Sequence, residues 1–147
     1  MYASDFGMWN TDFGRVARHR KSIDAGNVKL IFNILPEAAK YLADRDIVEI
    51  AKSTVFNCKA DALCVSGLTA GSETNSQILK RVKDTVPDTV VLANTGCRPD
   101  TIEAQLSVAD GAVVGTTFKV DGKFENGVDE KRVREFMSIV KKFRGQE

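Results

Sequence analysis

The chain has 147 residues, of which 43% are hydrophobic and 28% are charged, as in a soluble globular domain. Its formal net charge of +1 argues against a nucleic-acid partner, which requires a basic surface. No apolar run approaches the ~20 residues of a membrane span and no signal-peptide pattern opens the chain, so we expect a cytoplasmic protein without a membrane span.

Five helical patterns alternate with four apolar runs along the chain. Residues Arg15–Ser22 are expected to form the first helix, and we interpret its dense basic residues as a solvated face. The apolar runs predict strands near 28–33, 61–66, 89–94 and 111–117. These runs lack the in-out alternation of a half-exposed strand, which favours parallel strands covered on both faces.

Polar residues and prolines mark where the later helices begin. Asp44 or Asp46 is the expected N-cap of the second helix, and Ser72 is the expected cap of the third. Pro99 suits the first turn of the fourth helix, and Asp129 opens the last one. Strands joined through helices in this order run parallel, with right-handed crossovers.

The predicted fold class is α/β, namely the C-terminal half of a (β/α)8 TIM barrel with four parallel βα units and a leading helix. Residues 1–147 would form a single partial domain, because a closed barrel takes eight units and about 250 residues. The opening Met1–Asp5 is expected to carry no strand, which fits a beginning just after the fourth strand of the barrel.

A half barrel would leave the inner face of its sheet and both sheet edges uncovered. A dozen wet inward side chains would cost on the order of 20 kcal/mol, at roughly 1.5–3 kcal/mol for each. That exceeds the net stability of a domain. We therefore expect that a missing N-terminal half or a homo-oligomer completes the barrel, with an open sandwich as the remaining alternative.

Glycine and small polar residues follow the last two predicted strands. The two stretches are Asn94-Thr95-Gly96 and Gly115-Thr116-Thr117. In TIM barrels a phosphate often lies between the loops after strands seven and eight, held by backbone N–H groups. The threonines would add neutral donors, and the helix opened by Pro99 would add its positive dipole end. We predict a phosphate site at these six residues; alternatively, the glycines serve only tight turns.

Lys119 follows the last predicted strand, where an ammonium could pair with an anion or act as a base. Asp121 could hold it by charge, and we predict the two as the catalytic pair. The alternatives are a surface lysine and an ordinary Asp-Gly turn. Asn33 and Ser66 end the first two strands and are predicted to line the pocket, although the Ser66 hydroxyl could instead cap the turn.

The cysteines do not indicate a metal or redox site. Cys58, Cys64 and Cys97 are odd in number and have no Cys-x-x-Cys spacing, which argues against a disulfide framework or zinc. Cys97 lies in a predicted site loop but has no histidine nearby in sequence, so a nucleophilic role is not expected. We expect neither a metal nor a cofactor.

Several stretches, taken together, resemble the BtpA/SgcQ family over about Thr11–Phe143. They are Ala43–Ile47, Ala60–Gly67, Thr69–Gly71, Ala109–Lys119, Asp121-Gly122, Asn126, Val128-Asp129 and Arg132-Val133. The resemblance implies a (β/α)8 barrel of the ribulose-phosphate-binding type, with full-length members much longer than this chain. Members are named for photosystem I biogenesis in cyanobacteria or for a neighbourhood of sugar-handling genes in bacteria, without an assigned reaction.

The sequence departs from the family pattern after the first strand. Family members tend to carry an aspartate followed by a Lys-His-like polar pair, whereas this chain reads Asn33-Ile34-Leu35-Pro36-Glu37. If those groups form an acid/base or metal site, part of it is missing here.

Two functions from different classes remain open at this point. The first is an enzyme-type barrel, similar to an isomerase or a lyase, that binds a small phosphorylated metabolite. The second is a non-catalytic assembly or biogenesis factor that keeps the phosphate site. An inactive truncated half barrel is a third possibility.

Overall fold

The computed structural model describes residues 1–66 and 75–146; the predicted cap Ser72 and the family-like residues Gly67 and Thr69–Gly71 lie outside them. In chain order the elements are β1 (Tyr2–Ser4), β2 (Gly7–Trp9), α1 (Phe13–Ser22), β3 (Ile31–Leu35), β4 (Ala39–Tyr41), α2 (Ile47–Cys58), β5 (Ala62–Ser66), α3 (Asn75–Thr85), β6 (Val90–Asn94), α4 (Ile102–Leu106), β7 (Gly111–Val113) and α5 (Glu130–Phe143).

The main sheet has the strand order β3-β5-β6-β7, and every pair in it is parallel. This confirms the predicted α/β fold of four parallel strands joined by helices. The helices pack on one face of the sheet, where a continuous apolar core joins Ile34, Leu63 and Val91 to Val82 and Phe136. Among the described residues, no helix has both the length and the apolar composition needed to cross a bilayer.

Two of the predicted strand ranges are too long. The first strand begins at Ile31 rather than near residue 28, because Val28 closes a turn on Ala25 and Leu30 bonds to the segment before β5. The last strand ends at Val113 rather than near residue 117. Beyond it the chain tightens into a 3₁₀ turn over Thr116–Phe118.

The expectation that Met1–Asp5 carries no strand is wrong. Tyr2–Ser4 forms β1, which pairs antiparallel with both β2 and β4 in a separate small sheet. The Tyr2 hydroxyl donates a 2.9 Å hydrogen bond to the Ile34 carbonyl and so fastens this sheet to the end of β3. Burial raises the pKa of Tyr2 to about 12. Strands of three residues are too short to leave a periodic pattern in a sequence.

Asp61 and Asp110 occupy equivalent positions, each just before a strand. Asp61 accepts a 2.9 Å hydrogen bond from the Leu30 N–H and pairs with Arg20 at 2.7 Å. Asp110 accepts a 2.8 Å hydrogen bond from the Val91 N–H and pairs with Lys83 at 2.7 Å. Each aspartate therefore holds the neighbouring strand at the N-terminal end of the sheet.

The face of the sheet opposite the helices is partly bare. Ile31, Val90 and Val113 lie on it with exposed fractions of 53%, 44% and 44%. In the part of the chain that the structure describes, β3 and β7 each pair with a single strand of the main sheet. The sheet thus has two open edges and an apolar surface that a closed barrel would cover.

Candidate functional site

A cavity of about 550 Å3 lies at the C-terminal ends of β6 and β7. All six residues of the predicted phosphate site line it: Asn94, Thr95, Gly96, Gly115, Thr116 and Thr117. The two loops meet because β6 and β7 are adjacent and parallel, so both strands end at the same edge of the sheet.

The loop after β6 turns through two successive residues in the left-handed region. Thr95 has φ +64° and Gly96 has φ +65°. Glycine adopts this conformation without steric cost, whereas threonine needs support from its surroundings. Its neighbour Cys97 supplies part of that support, since the buried thiol packs against the core and its carbonyl is held from the other loop.

Two of the predicted contributions to anion binding are absent. The Thr117 hydroxyl donates to the Cys97 carbonyl at 2.6 Å, so its proton is not a free donor for a ligand. The fourth helix does not begin at Pro99 but at Ile102, and it has only five residues. A helix of little more than one turn has no developed macrodipole, so the expected dipole contribution falls away.

Arg132 and Arg98 line the cavity, and sequence reasoning did not select either as a site residue. The Nε of Arg132 donates a 2.9 Å hydrogen bond to the Thr117 carbonyl, which fixes the guanidinium against the loop. The described residues offer Arg132 no ion-pair partner. Arg98 differs, since its guanidinium makes hydrogen bonds of 3.0 and 3.2 Å to both carboxylate oxygens of Asp100.

Glu37 and Phe124 also belong to the cavity wall. Glu37 comes from the loop after β3, so it reaches the cavity from the far side of the sheet edge. Phe124 is 80% exposed at the rim. Arg132 lies inside a family-like stretch, which was the one available signal; nothing in the spacing of Glu37 or Phe124 indicated the site.

The predicted catalytic pair does not reach this cavity. Lys119 forms an isolated backbone bridge with Val128, and Asp121 sits in a turn with φ +55°. Neither residue lines the cavity wall, and the described residues show no ion pair between them. The 3₁₀ turn after β7 redirects the chain before Lys119, which is why closeness in sequence misplaced it.

Asn33 and Ser66, the predicted pocket-lining residues, contact each other and Asn94 at the C-terminal ends of three neighbouring strands. Asn33 Nδ2 lies 3.2 Å from Ser66 Oγ, and Asn94 Nδ2 lies 3.0 Å from the same oxygen. Ser66 is 2% exposed. Asn94 alone of the three also lines the cavity, so it links this cluster to the glycine loops.

The Cys97 thiol is unsuited to nucleophilic chemistry. It is 3% exposed, and burial raises its pKa to about 11. Only the thiolate is an effective nucleophile. Across residues 1–66 and 75–146, no three His, Cys, Asp or Glu side chains converge where they could hold a metal ion.

Comparison with known proteins adds a family and a fold. The BtpA family profile matches residues 1–142. The chain is 64% identical over 139 residues to the sgc region protein SgcQ of Escherichia coli K12, covering 95% of this chain and 52% of that protein. It is 24% identical over 138 residues to the photosystem I biogenesis protein BtpA of Synechocystis, covering 94% of this chain and 48% of that protein.

The chain therefore spans about half the length of the curated relatives it matches. A solved structure, native KDPGal, superposes with a TM-score of 0.60 at 18% identity, covering 93% of this chain and 56% of that chain. Together with the four parallel strands and the open edges, this likeness identifies the fold as a partial TIM-type barrel.

Proposed function

This chain belongs to the BtpA family, and we propose that it binds a small phosphorylated metabolite in the cavity between the loops after β6 and β7. The observation that carries the proposal is the convergence of both glycine-containing loops with Arg132, a guanidinium without an ion-pair partner among the described residues.

The chemistry of the cavity supports an anion. Two arginines and one glutamate line it, so its ionised side chains sum to one positive charge. A guanidinium fixed by one hydrogen bond keeps further N–H donors for a phosphate oxygen. Gly96 and Gly115 let a ligand oxygen approach the backbone, because no side chain intervenes.

For the reaction we propose isomerase-like or lyase-like chemistry on the bound metabolite. Glu37 is the carboxylate in the cavity wall, and it takes over the acid/base role that the sequence assigned to Lys119 and Asp121. A missing half barrel or a second copy of the chain would cover the bare sheet face and close the site. A cytoplasmic location stays a prediction of the sequence.

A second candidate is a non-catalytic assembly factor that retains the anion site. It is favoured by the position of Lys119 and Asp121 outside the cavity and by Asn33–Glu37 standing in place of the family's polar pair. One relative is named as a photosystem I biogenesis protein. Turnover of any phosphorylated substrate that is lost in Glu37→Gln would exclude this candidate.

Thermal unfolding with added inorganic phosphate tests the binding proposal. A ligand at 100 times its Kd adds about 2.7 kcal/mol to the free energy of unfolding. We expect phosphate to raise Tm in the wild type and in Arg134→Ala, an exposed arginine on the same helix, but much less in Arg132→Ala. Equal shifts in all three proteins, or none, would contradict the proposal.

A further inference from the structure

The Ser66 oxygen accepts hydrogen bonds from two side-chain amides at once. The donors are Asn33 Nδ2 at 3.2 Å and Asn94 Nδ2 at 3.0 Å. The orientation of the Asn33 amide follows from its other end, where Oδ1 accepts a 3.2 Å hydrogen bond from the Leu35 N–H. The NH₂ group of Asn33 is therefore the end that faces the serine.

This arrangement leaves the serine proton uncommitted. A hydroxyl oxygen has two lone pairs and one proton, and here both lone pairs are occupied. No acceptor for the proton occurs among the described residues. Ser66 is 2% exposed, so bulk water does not readily satisfy the proton. Buried polar groups are normally paired, which makes a free buried donor a feature of binding sites.

The cluster is donor-rich overall. Each amide NH₂ carries two protons and uses one on Ser66, so further N–H donors remain beside the serine O–H. The group that complements several converging donors is an oxygen that only accepts, namely a carbonyl or an enolate oxygen.

The position of the cluster connects it to the phosphate site. Ser66 lies opposite Asn94 in the register of β5 and β6, at the C-terminal end of the sheet. Asn94 lines the cavity as well, so a ligand anchored by its phosphate in the loops can extend across Asn94 to Ser66.

We propose that Ser66 donates a hydrogen bond to the carbonyl oxygen of the ligand, with Asn33 and Asn94 as positioning residues. The ligand class is then an open-chain phosphorylated aldose or ketose, rather than a phosphate ester that carries only hydroxyls. This inference rests on the proposed phosphate site and names what occupies the other end of it.

Calorimetric binding of three probes tests the assignment: inorganic phosphate, glycerol 3-phosphate and dihydroxyacetone phosphate. The last two differ in one alcohol that is replaced by a ketone. The wild type should bind the ketone about tenfold more tightly than the alcohol, as one well-placed hydrogen bond would give. Ser66→Ala should abolish that preference and leave the affinity for inorganic phosphate unchanged.

Thr54→Val is the matched control, since Thr54 is another buried hydroxyl residue, located on α2 away from the sheet edge. It should keep the preference for the ketone. Ser66→Cys, which retains the size but donates poorly, replaces Ser66→Ala if the alanine variant unfolds. Phosphate binding without any ketone preference in the wild type, or a preference that survives both Ser66 variants, overturns the inference. Failure of all three probes to bind the wild type would instead remove the phosphate site itself, and this inference with it.

Discussion

The Thr117 hydroxyl donates a 2.6 Å hydrogen bond to the Cys97 carbonyl and thereby joins the loop after β7 to the loop after β6. The Thr117 carbonyl in turn accepts the Nε of Arg132 at 2.9 Å. One residue thus fixes both the separation of the two glycine loops and the arginine that faces the cavity. The shape of the anion site depends on Thr117 even though its proton is not offered to a ligand.

Thr117→Val should weaken phosphate binding by roughly three- to tenfold, because loss of one hydrogen bond of about 1 kcal/mol lets the two loops separate. Titration calorimetry with inorganic phosphate measures the change. Thr85→Val is the control, since Thr85 makes a similar hydroxyl-to-carbonyl bond of 2.8 Å within α3. If both variants bind phosphate as the wild type does, the link between the loops has no bearing on the site.

Lys119→Ala should leave the affinity for phosphate within about twofold of the wild type, because Lys119 does not line the cavity. The same titration measures this, with Arg132→Ala as the variant expected to lose binding. A loss with Lys119→Ala as large as that with Arg132→Ala would restore the role that the sequence predicted for the lysine.

Stability should fall as the pH drops, because two carboxylates have lowered pKa values in the folded protein. The Leu30 N–H and Arg20 lower the pKa of Asp61. Burial opposes the shift of Asp110, but Lys83 and the Val91 N–H outweigh it, so its pKa is lowered too. Their contribution is present above the unfolded aspartate pKa of ~3.9 and is lost as the pH falls below it through the folded values.

Asp61→Asn should therefore reduce the free energy of unfolding by about 1 kcal/mol at pH 7 and flatten its decline towards pH 3. Chemical denaturation across this pH range measures both effects. The exposed Asp88→Asn serves as the comparison. An unchanged pH profile in Asp61→Asn would show that the aspartate does not hold β3 as described.

Cys97 should resist alkylation in the folded protein. With a pKa of about 11, roughly one thiol in a thousand is ionised at pH 8, and the side chain is also buried. Mass spectrometry after iodoacetamide treatment should find Cys97 modified only once the protein is unfolded. Fast modification in the native state would contradict the packing of this loop.

Periodicity in the sequence predicted the order of the elements and the parallel sheet, and from these the meeting of the two glycine loops. Strand ends were harder, since the bonds that end β3 come from Asp61, which lies far along the chain. The antiparallel strands around Tyr2 depend on pairing with a distant loop. Arg132 was missed as a site residue because a long side chain reaches the cavity from a helix, whereas the search followed residues next to strands.

The aspartates that hold the sheet and the loops that surround the cavity lie at opposite ends of the strands. A five-residue strand spans about 16 Å, so these two groups of residues share few neighbours. Changes in the loops can then alter ligand preference with little effect on the scaffold, and changes at the aspartates can tune durability without touching recognition. Such a division gives a lineage room to acquire new chemistry on an inherited frame.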